Sequence, residues 1–233
     1  MDEPAKRQPI FNAPAVVMVL IALFLSIHAG TVLLLDRNAQ LQLLLNFAFW
    51  PEFMDLPANV APAPWGRYWT PVSYAFLHGD WLHVGINSLY LLAFGTPVAQ
   101  RFGTVRFLLL MAVGAVGGAA AHYFTHIGGL VPMIGASASV SAALGAACRF
   151  VLTPGPSVAE RVQMPARSLV QSLQNRSVLT FVIVWFAINW LFGAGVLAVP
   201  GQDAGIAWQA HVGGFLVGFF CFALFDPVRR PAD

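Results

Sequence analysis

Residues 133–150 read "MIGASASVSAALGAACRF". Ser137, Ser139 and Ser141 alternate there with small apolar residues, and no charge interrupts the run before Arg149. The ordinary role of such serines is packing: small side chains let two helices approach closely, and a hydroxyl can bond back to its own backbone. Ser137, Ser141 and Gly145 repeat every four residues, as do Ala210, Gly214 and Gly218 in "AHVGGFLVGFF" at 210–220. Residues four apart share a helix face, so two small faces are expected to meet.

The rest of the chain explains what kind of helix this is. Of 233 residues, 58% are hydrophobic and only 9% charged, and the mean hydropathy is +0.71, far from the usual globular mixture. This composition defines an all-α polytopic membrane protein. A net charge of +2 gives no basis for a nucleic-acid partner; membrane lipid is the expected surrounding. Cys148 and Cys221 sit in apolar segments without metal or redox spacing and are expected to be packing residues.

Roughly 20 apolar residues cross the hydrocarbon core. Six segments meet that length, at 13–35, 82–100, 104–124, 134–151, 178–198 and 207–225. The first follows Lys6 and Arg7, but its apolar run is too long for a signal peptide and no convincing A-x-A cleavage site ends it, so it is read as retained. Basic residues resist translocation. With both termini cytoplasmic, Lys6, Arg7, Arg101, Arg106, Arg149, Arg161, Arg167, Arg176, Arg229 and Arg230 lie inside, and only Arg37 and Arg67 outside. The expected organisation is a tail over 1–12, a six-helix domain over 13–226 and a tail over 227–233.

Within that domain the external connection at 36–81 is too long for a simple link. Its apolar stretches, broken by "PANVAPAPWG", predict short helices at the outer interface. The cytoplasmic loop at 152–176, with Pro154, Gly155, Pro156 and Pro165, is expected to be solvated and mobile.

On this topology the second, fourth and sixth helices run inward, and each carries polar residues near its outer start. These are His83 and Asn87, Ser137, and His211. His83 and Asn87 are four apart and can point donors at one oxygen. Ser137 opens a helix, where backbone N–H groups lack intrahelical acceptors and the dipole favours an anion. His211 supplies the base that a serine hydroxyl needs. Ser139 points to another face, and Ser141 lies one turn deeper.

These residues resemble the rhomboid intramembrane serine proteases. The resemblance rests on "FLHGDWLHVGINSLYLLAFG" at 76–95, "GAS" at 135–137 and "AHVGGFLVG" at 210–218, with six helices of matching orientation. It implies a Ser137/His211 catalytic dyad without a third acid. His83, Asn87 and the Ser137 backbone N–H would form the oxyanion hole, and His78 matches a further histidine near it. The expected partners are transmembrane protein substrates, cut after a small residue and entering sideways past the fifth helix; no cofactor and no metal is implied. The expected location is a bacterial inner membrane, with the site opening to the external side.

Three positions depart from the family pattern. Ala138 stands where the motif G-x-S-G ends in glycine. Ser141 stands where an aromatic ring often stacks on the base, and "WGRYW" at 65–69 lacks an adjacent Trp-Arg pair. Lacking both acid and ring, His211 needs another group to fix its tautomer, and Ser141 is the expected one.

Other readings differ in what they require. His28, His122 and His126 have no carboxylate pattern for a metal and are read as packing or interfacial residues. H-E-x-x-H is absent. A catalytically silent rhomboid-like protein would bind transmembrane clients but would not need Ser137, His211, His83 and Asn87 together. A small transporter or channel would call for a charge in mid-span or broken half-helices. The oligomeric state is not encoded in any of these motifs.

Overall fold

The computed structural model describes residues 12–152, 157–197 and 206–228. Lys6, Arg7, Arg229 and Arg230 of the tails, residues 153–156 of the proline-containing loop and the end of the fifth expected span lie outside them. Among the described residues the protein is all-helical, with one isolated antiparallel bridge between Phe49 and Met133.

Helix α1 spans Ala15–Leu34. The long connection after it folds as short helices: α2 Arg37–Phe47, α3 Pro51–Asp55, a 3-10 turn Gly66–Tyr68, α4 Thr70–Ser73 and a second 3-10 turn Tyr74–Phe76. Asp36 caps α2 by accepting from the Ala39 N–H. The motif "WGRYW" anchors this region without an adjacent Trp-Arg pair. Arg67 donates to the carbonyls of Pro64 and Leu56, and Trp69 Nε1 donates to the Asn46 carbonyl.

Helix α5, Trp81–Tyr90, passes through a π-helical turn at Leu91–Gly95 into α6, Thr96–Thr125. Gly103 adopts φ 72° inside α6, so this continuous stretch is two helices joined at a left-handed corner that glycine tolerates without strain. The corner falls between the second and third segments expected from sequence. Helix α7, Ser137–Ala147, is shorter than the expected 134–151. The loop after α7 holds α8 Val158–Arg161 and α9 Leu169–Leu173, followed by α10 Arg176–Gly193, α11 Trp208–Phe220 and α12 Phe222–Phe225. Among the described residues three stretches are long and apolar enough to cross a membrane: Ala15–Leu34, Trp81–Thr125 and Arg176–Gly193.

Helices α6, α7 and α11 form the centre, and they meet backbone to backbone. A Cβ at Gly214 or Gly218 of α11 would collide with the carbonyl of Ala138 or Ala142 on α7. A Cβ at Gly114 or Gly118 of α6 would strike the methyls of those same two alanines. The small faces therefore do meet, but the α7 partners of Gly214 and Gly218 are Ala138 and Ala142 rather than Ser137 and Ser141. Ser139 donates to the Met111 carbonyl of α6 at 2.9 Å, the packing role open to a buried hydroxyl.

The loop after α7 departs from the solvated, mobile segment that the sequence predicts. Capping boxes close the starts of α8, from Ser157 and Glu160, and of α9, from Ser168 and Gln171. Arg101, fully buried, pairs with Asp226 at 2.8 Å and donates to the carbonyls of Arg161, Val162 and Met164. Arg149 donates to the carbonyls of Phe219 and Arg167. Over residues 157–175 the loop is thus held against the bundle, because two guanidiniums gather its backbone carbonyls.

Candidate active site

The loop before α7 is set by geometry that only glycine accepts. Gly135 has φ 112°, donates its N–H to the Tyr74 carbonyl, and lies so close to the His83 ring that a Cβ would overlap Nε2. Two residues on, Ser137 is the first residue of α7, with Ala136 as its cap and no side chain satisfying the first turn. The leading N–H groups of a helix have no intrahelical acceptor.

Ser137 Oγ lies 2.8 Å from His211 Nε2, and both residues are half-buried. The contact bridges α7 and α11, which glycine packing brings together. His83 and Asn87 of α5 approach Gly135 as well: a Cβ built there would lie 2.5 Å from His83 Nε2 and 3.5 Å from Asn87 Nδ2. Asn87 Nδ2 is buried and bonds to no group among the described residues. An orphaned buried amide donor is costly, and this one faces the backbone leading into Ser137.

The tautomer of His83 follows from its neighbours. Asp80 caps α5 by accepting from the His83 N–H at 2.7 Å, and the Gly79 N–H approaches His83 Nδ1 at 3.4 Å. A neutral ring that accepts at Nδ1 carries its proton on Nε2, the atom beside Gly135. The same peptide unit is held from behind, since His28 Nδ1 donates to the His78 carbonyl at 3.1 Å. His78 itself packs edge-on to His83, with centroids 5.1 Å apart, and neither of its ring nitrogens has a partner. His78 lies outside α5, and burial, then the neighbouring His83, hold its pKa down at about 3, so it is a neutral ring at ordinary pH.

The structure thus brings Ser137, His211, His83, Asn87 and His78 into one cluster. Ser141 does not take the place expected for it: the group on His211 Nδ1 is Asn189 Oδ1 of α10, at 2.5 Å. The reason is ring geometry. The two imidazole nitrogens point to opposite sides, so a ring that turns Nε2 to α7 must turn Nδ1 away from it. Asn189 is the one amide in "FVIVWFAINWLFG" at 181–193, and an isolated polar residue in such a run was the available signal. His28, read from sequence as a packing or interfacial residue, is buried and bonds to the His78 carbonyl beside the cluster. His122 stacks on His126 at 4.3 Å, remote from the cluster in sequence and in partners. Among the described residues no group of three His, Cys, Asp or Glu side chains could hold a metal.

Fold and site together define an integral membrane protein built as a helical bundle, with a serine and an imidazole joined between two of its helices. Comparison with known proteins gives the lineage. The Rhomboid domain family matches residues 65–226, and the chain belongs to the rhomboid family. Over 165 residues, 70% of this chain, it is 30% identical to Rhomboid protease GluP of Bacillus subtilis (strain 168), covering 27% of that protein. Over 155 residues, 66% of this chain, it is 26% identical to RHOMBOID-like protein 5 of Arabidopsis thaliana, covering 43% of that one. The matched region is therefore less than half of either relative's length.

Proposed function

We propose that the protein is an intramembrane serine endopeptidase, with Ser137 as nucleophile and His211 as base. The observation that carries this reading is the 2.8 Å contact of Ser137 Oγ with His211 Nε2 beside the unpartnered Asn87 amide. A packing serine needs no imidazole, and a structural asparagine needs no empty donor.

In the proposed reaction Oγ attacks the carbonyl carbon of the scissile peptide while its proton passes to Nε2. The carbonyl oxygen becomes an oxyanion facing Asn87 Nδ2, His83 Nε2–H and the Ser137 N–H at the start of α7. The tetrahedral carbon then expels the amine, which takes the proton from Nε2, leaving an acyl-enzyme. Water repeats the sequence in reverse: it loses a proton to His211, attacks the acyl carbon, and Ser137 leaves with the proton restored.

The membrane setting belongs to the same proposal. Six spans with both termini cytoplasmic accord with the arginine distribution, and the Gly103 corner divides the longest apolar stretch into the second and third. Helix α7 has 11 residues, about 16 Å, roughly half the hydrocarbon thickness. A helix that short can begin below the outer surface, which supports a pocket reached by water from the external side and by a transmembrane substrate from the flank. The substrate is a membrane-protein segment whose backbone unwinds enough to expose one peptide bond.

Fluorophosphonate labelling in detergent tests the reading. Wild type is expected to form a covalent adduct on Ser137, mapped by mass spectrometry, while Ser137→Ala and His211→Ala form none and fail to cleave a transmembrane substrate. Labelling of Ser139, or an unlabelled wild type that still binds such a substrate, would identify another nucleophile or a silent binding protein.

A further inference from the structure

The face of α10 that meets α11 is built from three residues four apart. Trp185 stacks on Phe215 with centroids 5.1 Å apart, Asn189 meets His211, and Gly193 lies so close to the Trp208 ring that a Cβ would overlap it. Gly193 and Trp185 thus set the spacing at either side of the one polar contact. Asn189 is also oriented from its own helix: Nδ2 donates to the Trp185 carbonyl at 2.8 Å. A carbonyl oxygen only accepts, so the amide cannot sit the other way round, and it is Oδ1 that faces His211.

This arrangement decides where the base holds its proton. An acceptor at 2.5 Å from Nδ1 requires a hydrogen on Nδ1; a neutral imidazole then has its lone pair on Nε2, facing Ser137 Oγ. The opposite tautomer would present a proton to the serine hydroxyl and an unshared pair to Oδ1, and could not accept the serine proton. We infer that Asn189 is the positioning residue of this site, a neutral third member that locks His211 into the competent tautomer. The inference rests on the protease reading above. Since Asn189 rides on α10, of whose most apolar window only 11% is buried, against 28% and 39% for the two other long apolar stretches, the base is set only while that helix stays seated on α11.

The test uses the full-length protein in detergent with Asn189→Ala, Asn189→Leu and Asn189→Asp. Losing the group that fixes a triad histidine's tautomer costs on the order of 10,000-fold in turnover in the best-studied serine hydrolase. Ala and Leu are therefore expected to lower kcat on a transmembrane substrate about 100- to 10,000-fold while KM stays within about threefold. Asp keeps an acceptor facing Nδ1 and is expected to recover at least about tenfold of that loss. Nitrogen-15 NMR of histidine-labelled protein gives a second readout that needs no substrate. The His211 signal, recognised by its loss in His211→Gln, should show a protonated Nδ1 in wild type and a shift toward the other tautomer in Asn189→Leu. The inference is overturned if folded Ala or Leu keeps kcat within about threefold of wild type, if folded Asp is as inactive as Leu, or if Nδ1 is unprotonated in wild type. Should Ala fail to fold, Leu, Asp and the wild-type spectrum still decide. A wild type that resists fluorophosphonate would end the protease reading alone, because the tautomer and its dependence on Asn189 are read independently.

Discussion

Asn87 separates chemistry from architecture at a single atom. Its Nδ2 bonds to nothing among the described residues, so its removal forfeits little stability, whereas one lost oxyanion donor typically lowers turnover about 100- to 1000-fold. Asn87→Ala should show that drop in kcat with KM and thermal stability nearly unchanged; an unchanged kcat would leave stabilisation to His83 and the Ser137 N–H. His28 acts one step further back. Its Nδ1 holds the carbonyl of the 78–79 peptide, and the N–H of that peptide faces His83 Nδ1. His28→Phe keeps a ring against Trp81, 4.6 Å away in the native protein, but leaves a buried carbonyl short of a donor, a loss of about 1–3 kcal/mol. A roughly tenfold fall in kcat alongside that loss, measured by cleavage and by thermal unfolding, is the expected outcome.

Among the elements, the contact of α6 with α7 accounts for an unusual residue. Ala138 adds a methyl where the family motif has glycine, and that methyl occupies the space a Cβ would need at Gly118. The substitution is tolerated because α6 yields the volume. Gly118→Ala should therefore overpack the contact and cost about 1–3 kcal/mol, read as a lower unfolding temperature. Adding Ala138→Gly should restore only part of it, since the new Cβ would still lie 3.0 Å from the Ala210 carbonyl and the Tyr74 hydroxyl. No recovery in the double variant would mean that these last two contacts, not Ala138, set the limit.

Across the whole molecule, a buried charge pair adds to the apolar packing of Phe150, Val162 and Phe222 in tying the loop over 157–175 to the bundle. Arg101 joins α6 to Asp226 beyond α12 and to three carbonyls of that loop, and its guanidinium also lies 4.9 Å from the centre of the Phe150 ring. Removing one partner of a buried pair leaves the other uncompensated, at a cost of about 3–5 kcal/mol. Arg101→Ala should lower the unfolding temperature and expose the loop over 157–175 to limited proteolysis, while Arg106→Ala, on an exposed residue, should do neither.

Composition, the length of the apolar runs and the four-residue repeats of small side chains were enough to specify a helical membrane bundle. The polar residues at 83, 87, 137 and 211 were enough to name the candidate site, because each is a local departure from an otherwise apolar helix. What lay beyond the sequence has a common cause. Which small residues meet, why a proline-rich loop is held, and which group sits on His211 Nδ1 all depend on side-chain direction across helices distant in sequence. Ser141 is the nearest hydroxyl along the chain, yet the base turns its free nitrogen toward α10. Only the packing of α10 on α11, through Trp185, Asn189 and Gly193, brings an amide to that nitrogen.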